Sequence, residues 1–298
     1  VKDKTYMIFG ATVEGKAAIP LMEASDQDLT AWTQIGDLLG DASRPLATPE
    51  DPKFISIQDH WLLIFTELDR VRYRLGSFNP DKHSFNVHSS GMIDHSADHR
   101  DTEIMKDDYG NVRLVGIIPD VERSPGIQSG YLSLPRTVEI SNEGRLVQKP
   151  ALKLRKLRQR PFVIKRLRIK NGIKSFNQLG YDAMEIKMVI DPETSGEFGL
   201  KLKSSDDGRR AIDIYLRQNI LHIDGMDFEF QSLQKGQNKL SLEIFLDYSI
   251  MEVFINGGLA CVTRKVRFWP RDKGFQVYAY DGSIMIESLE VWKIIPAR

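Results

Sequence analysis

From residue 181 to the C-terminus apolar side chains return at every second position, and this period limits the fold more than any other feature. Met184, Ile186, Met188 and Ile190 share one parity, as do Ile212, Ile214 and Leu216, then Leu242, Ile244 and Leu246. Val253 and Ile255 follow, then Phe275, Val277 and Ala279, and Met285, Leu289 and Val291 close the series with a shifted phase. Successive side chains on a strand point to opposite faces, so each run builds a sheet with one apolar and one polar side. Such sheets bury the apolar side against each other, and Gly and Asp turns between the runs fit a β-sandwich.

The first half is also β-like, in shorter pieces. Tyr6–Phe9, His60–Phe65, Tyr73–Gly76 and Val112–Gly116 are strand-like runs, with turn chemistry at Asn79-Pro80-Asp81 and Asp108-Tyr109-Gly110-Asn111. Their spacing suits the antiparallel blades of a propeller or a sandwich. Residues 88–103 read as a polar loop interrupting these strands. Trp61, Trp269 and Trp292 sit on strand-like runs and are expected to pack in the core or between sheets. The opening residues, Val1 to Gly10, read as a turn running straight into a buried strand, as if the chain began inside a domain.

Charge narrows the class of partner. The 298 residues hold 41 basic and 41 acidic side chains, so no global field favours nucleic acid or a membrane surface. No apolar run approaches the roughly 18 residues that span a bilayer. Residues 145–181 are rich in Lys and Arg without a single acid. A nucleic-acid stripe is one reading. Alternation of Val163-Ile164, Leu167 and Ile169 with cations favours an edge strand whose lysines block further pairing. The lone Cys261 excludes an intramolecular disulfide and leaves the redox compartment open.

Between the halves lies Gly130-Tyr-Leu-Ser-Leu-Pro-Arg136, followed by Gly144-Arg-Leu-Val-Gln-Lys-Pro150. Proline lacks the backbone donor a strand needs, so the segment reads as the last strand of one β domain and the exit into another. The expected domains are 1–150 and 151–298. This segment resembles the one that closes the propeller of glycoside hydrolase family 32, the β-fructosidases (invertases, levanases, inulinases). Asp247-Tyr-Ser-Ile-Met-Glu-Val-Phe-Ile-Asn-Gly-Gly258 is similar to a hairpin of that family's sandwich. Tyr6–Ala11 and the Leu29-x-x-Trp32 core resemble parts of its blades. The resemblance implies an all-β chain: the later blades of a five-bladed β-propeller followed by a C-terminal β-sandwich. It implies a retaining glycosidase acting on β-fructofuranosides of the sucrose or fructan type, with a carbohydrate partner, no cofactor and no metal.

Candidate site residues follow. Glycosidases flank the scissile bond with two carboxyl groups, one of them protonated to assist departure. Glu50 precedes Asp51-Pro52-Lys53-Phe54, and partial burial beside a proline would raise its pKa toward that task. The family has Glu-Cys-Pro-Asp there, which implies that Glu50 is the general acid/base, with Asp51 and Lys53 as departures. Residues 88–101 hold three His and three Asp within fourteen positions, but in no standard metal-ligand spacing. Here the family has an Asp-x-Gly-x-Asp-Phe-Tyr-Ala segment lining the fructose pocket. Asp94, Ser96, Asp98, His99 and Arg100 occupy its places, Arg100 standing for Tyr, and Ile117 replaces the Trp that follows Gly116. The resemblance therefore implies Asp98, His99, Arg100 and Ile117 as substrate contacts. An Arg there favours a charged or hydroxyl-rich ligand. The family's nucleophile Asp and its stabilising Asp, in Arg-Asp-Pro, have no counterpart in these residues. An N-terminal fragment completing the propeller is the partner this implies. The rival reading is a non-catalytic carbohydrate-binding or structural protein with an eroded fructosidase site. A five-bladed glycosidase of another furanoside, such as arabinan, is a third, which the sandwich hairpin argues against.

Overall fold

The computed structural model describes residues 4–39, 47–120, 130–229 and 239–295. The chain divides into two compact units, Val1–Val147 and Gln148–Arg298.

The first unit contains successive antiparallel sheets. β1 (Tyr6–Ile8), β2 (Ala11–Val13), β3 (Lys16–Ala18), β4 (Pro20–Ala24) and β5 (Trp32–Asp37) form a three-stranded sheet β1-β4-β5 with a β2–β3 hairpin. β6 (Glu50–Ile57), β7 (His60–Glu67), β8 (Arg70–Asn79) and β9 (Ser84–Met92) form a four-stranded meander in that order. β10 (Arg100–Lys106), β11 (Val112–Pro119), β12 (Gly130–Leu132), β13 (Arg136–Ile140) and β14 (Leu146–Pro150) form the third sheet, ordered β10-β11-β13-β14 with β12 also on β11. The polar loop expected over 88–103 shrinks to residues 93–99, because β9 and β10 extend into it from both ends.

Burial explains why β7 reads as an unbroken apolar run. Leu62 and Ile64 pack with Val112, Leu114 and Val138 of the third sheet, whereas Leu63 and Phe65 pack with Ile19 and Leu21 of the first. A strand covered on both faces has no polar parity to show. The sheets therefore stack face to face in chain order.

In the second unit β15 (Phe162–Ser175) is followed by β16 (Ala183–Asp191), β17 (Glu197–Ser204), β18 (Ile212–Arg217), β19 (Ile220–Ile223) and β20 (Met226–Glu229). β21 (Leu240–Asp247), β22 (Ile250–Ile255), β23 (Ala260–Lys265) and β24 (Gly274–Lys293) complete it. The order is β20-β19-β18-β17-β24-β16-β21-β22-β23. β24 serves two layers. Its first half pairs with β17 and its second half with β16. Phe198, Leu200 and Ile214 from one layer share a single core with Ile186, Ile244 and Val253 from the other. Interdigitated inner faces make this a β-sandwich.

Two expectations change here. The shifted phase at Met285 comes from one bent strand, with Ile284, Ile286, Leu289 and Val291 buried and Met285 on the other side. A register shift between Val189 and Ile190, opposite the step from Ser288 to Ile286, restores the parity. Trp269 is not a packing residue: it lies outside any strand and is 59% exposed. Trp61, stacked on Phe54, and Trp292, buried under Arg158, do pack. Among the described residues β15 pairs only with β24, which is the edge position its lysines suit.

Candidate active site

Glu50 opens β6 rather than sitting in a loop. The ladder joins Glu50 to Thr66 and then Lys53 to Ile64, so Asp51 and Pro52 form a bulge at the sheet's edge. An edge bulge is where a strand tolerates proline, and Asp51 takes the left-handed φ of 50° that Asp accepts more readily than most residues. Partial burial of Glu50 was expected; the structure leaves it exposed, because the bulge turns this end of the strand out of the ladder.

Lys53 ties β6 to the next sheet. It pairs with Asp51 and, at 3.3 Å, with Glu103 of β10. Lys106 Nζ donates to Ser56 Oγ at 3.0 Å. Both cross-sheet contacts join residues 50 positions apart, so β6 and β10 run side by side in the same direction.

The loop 93–99 is built around a buried ion pair. Asp94 and Arg136 are both 0% exposed, and Arg136 Nη2 donates to Asp94 Oδ2 at 2.9 Å. Asp94 Oδ1 accepts the Ser96 N–H at 3.0 Å, and Ser96 Oγ accepts the Asp98 N–H at 3.0 Å. These short bonds are the local turns that Asp and Ser favour, and they fix where Asp98 stands. The loop's other flank is held by Arg70 Nη1, which donates to the His95 carbonyl at 3.0 Å.

His99 does not line a surface pocket, which corrects the sequence expectation. Its ring is fully buried and fills the space over Gly116, where an added Cβ would lie 2.3 Å from His99 Cε1. Nε2 is 3.0 Å from Thr102 Oγ1, and Nδ1 is 3.9 Å from Asp94 Oδ2. Burial, helped by the Arg136 charge and opposed by Asp94, lowers its pKa to about 4. His99 is therefore a neutral prop beneath the loop at ordinary pH. Ser133 brackets Gly116 from the other side, Oγ accepting the Gly116 N–H at 2.9 Å.

Asp98, Arg100 and Ile117 do come together. Arg100 and Ile117 are cross-strand partners, Ile117 is 40% exposed, and its next partner Leu132 is exposed too. Arg100 Nε donates to the Ala97 carbonyl at 3.0 Å, and Nη1 lies 3.1 Å from Asp69 Oδ1. Asp69 belongs to the β7–β8 turn, which is at the Glu50 end of its sheet because Glu50 pairs with Thr66. Glu50, Asp98, Arg100 and Ile117 thus share one end of the first unit. Among the described residues no group of three or more His, Cys, Asp or Glu side chains is placed to hold a metal ion. Sequence reasoning did not single out Asp94 with Arg136 as a pair. The available signal was Arg136 itself, a cation directly after proline in an otherwise apolar segment.

Family profiles match both units. The N-terminal domain of glycosyl hydrolases family 32 covers residues 1–150, and the family 32 C-terminal domain covers residues 153–293. The chain belongs to glycosyl hydrolase family 32. Sucrose-6-phosphate hydrolase of Streptococcus mutans is 24% identical over 307 residues, covering 91% of this chain and 60% of that protein. A levanase of Bacillus subtilis is 29% identical over 192 residues, covering 58% of this chain and 28% of its own length. Fructan 1-exohydrolase IIa from Cichorium intybus superposes with a TM-score of 0.78 at 16% identity, covering 97% of this chain and 69% of its own. These likenesses define the fold: the stacked antiparallel sheets of the first unit are propeller blades, and a β-sandwich follows them. The chain spans about 60% of the Streptococcus relative's length.

Proposed function

We propose that this glycosidase hydrolyses β-fructofuranosides of the sucrose or fructan type with retention of configuration. Residues 1–150 form its propeller part and 151–298 its sandwich. The observation that carries the proposal is that Arg100, the cross-strand partner of Ile117, meets Asp69 at 3.1 Å in the β7–β8 turn, which lies at the Glu50 end of its sheet. Glu50 is the general acid/base: exposed at the tip of a rigid edge strand, its carboxyl can give a proton to the departing oxygen and later take one from water. Asp98 accepts hydrogen bonds from sugar hydroxyls. Arg100 donates to them, its charge offset by Asp69; an exposed pair of this kind is weak and exchangeable. Ile117 covers an apolar sugar face. A retaining mechanism needs a second carboxylate about 5–5.5 Å from the acid. No residue of these 298 matches the family's nucleophile, so the proposal places that group on an N-terminal segment, covalent or separate.

Glu50→Gln, made in protein that carries this segment, tests the role. Turnover of sucrose, levan and inulin should fall by about 10²–10⁴-fold. An activated aryl fructoside, whose leaving group needs no proton, should lose far less. Wild-type turnover of sucrose by the variant would refute the assignment.

A further inference from the structure

The sandwich carries a pocket of about 850 Å³ built wholly from residues of the second unit. Two exposed aromatic side chains line it, Trp269 at 59% and Tyr248 at 65% exposure, with Phe268 beside them. Neither exposed ring is there by default. Trp269 stands on a turn closed by the Asp272 N–H donating to the Trp269 carbonyl at 2.8 Å, with Pro270 between. The turn is clamped from below. Asp272 is buried and receives both Arg210 Nε at 3.1 Å and Nη2 at 3.0 Å. Tyr248 occupies the first turn position of the β21–β22 hairpin with φ of 50°, where Asn or Gly would be the low-energy choice. Two large rings held out to water on rigid turns are preorganised contact area.

Part of the charge beside them is held in ion pairs. Arg210 is paired with Asp272, Lys203 with Asp182, and Arg209 with Asp207. The Arg210 guanidinium, engaged at both Nε and Nη2 by Asp272, has little left to offer an anion. Its aromatic faces suit the C–H faces of sugars, and Ser249 and Asp213 offer hydroxyl and carboxylate groups to sugar hydroxyls. We propose that this pocket binds a neutral saccharide chain, with Trp269 and Tyr248 as the stacking platform. Taking fructan as that saccharide rests on the fructosidase reading above; the platform itself does not.

The experiment is affinity electrophoresis of the full chain through gels containing levan or inulin, alongside Trp269→Ala, Tyr248→Asn and Glu50→Gln. Wild type should be retarded by at least one polymer, and the retardation should persist in added salt because the polymers are uncharged and the rings carry the contact. Trp269→Ala and Tyr248→Asn should each bind about tenfold more weakly, with unchanged melting for Trp269→Ala, whose ring is exposed. Glu50→Gln should bind like wild type. The proposal is overturned if the wild type is not retarded, if Trp269→Ala binds normally, or if retardation vanishes with salt. It is equally overturned if Glu50→Gln alone abolishes binding. Retardation by a protein with no hydrolytic activity would leave the platform standing and sink the fructosidase reading; sucrose turnover with no retardation would do the reverse.

Discussion

Arg136 shows how one side chain holds the candidate site together. It follows Pro135 at the start of β13, and its guanidinium is sealed against Asp94. Removing one partner of a buried pair strands the other charge, so Arg136→Met should destabilise the first unit by about 3–5 kcal/mol in urea unfolding. Joint replacement with Asp94→Leu should return much of that loss, since no orphan charge remains. His99, in the same cluster, gives a pH signature. Its folded pKa of about 4 lies below the unfolded 6.5, so between these values only the unfolded state binds the proton. Stability must then fall as pH drops through this window, by on the order of 3 kcal/mol. Half-buried His95, its pKa also lowered by desolvation, adds in the same direction. The difference in melting temperature between wild type and His99→Gln, followed from about pH 7 to pH 4.5, should narrow as pH falls; parallel curves would remove His99 from the account. Composition identified the loop as polar, and the family resemblance alone singled out Asp98, His99 and Arg100; neither could say that His99 points inward. That depends on Gly116, seventeen residues away in sequence and directly beneath the ring in space.

At the level of elements, β24 carries the sandwich. It leaves β17 and joins β16 by bending at Asp281-Gly282, where Gly282 has φ of 143° and an added Cβ would lie 2.3 Å from the Thr194 carbonyl oxygen. Asn171 Oδ1 accepts the Gly282 N–H at 2.8 Å, which pins β15 to the same corner. Gly282→Ala should cost at least about 3 kcal/mol in thermal unfolding, strain and collision adding. The alternation of Phe275, Val277 and Ala279 was readable as a strand. The continuation through Gly282 was not, because a glycine and a parity shift are also the signs of a turn between two strands. β6 was hidden for a related reason: Pro52 and its charged neighbours look like loop, and only the edge position makes them compatible with a ladder. Trp269 was misjudged because an aromatic beside apolar residues usually marks burial, whereas here an Arg210–Asp272 clamp supports it from beneath.

For the whole molecule, each unit has an apolar core of its own, Ile57 to Leu146 and Ala17 to Phe85 in the first, Ile169 to Val291 in the second. Units with their own cores unfold as separate cooperative steps when each can stand alone. The two should also answer acid with opposite signs. The first loses stability on acidification through His99 and His95, as argued above. In the second, Asp213 and Asp247 have pKa values raised by desolvation. A carboxylate of that kind binds its proton more readily when folded, so falling pH stabilises its unit. The lowered carboxylates of the second unit, Asp182, Glu193, Asp207 and Asp272, lose their contribution only as pH falls through the ordinary carboxylate range and below it, and stay silent above it. Differential scanning calorimetry from about pH 7 to about pH 5.5 should therefore show two transitions, one moving down while the other holds or rises. Arg136→Met should lower the acid-sensitive one alone, which assigns it to the propeller blades. A single transition that moves as a whole would mean that the two cores melt as one cooperative body.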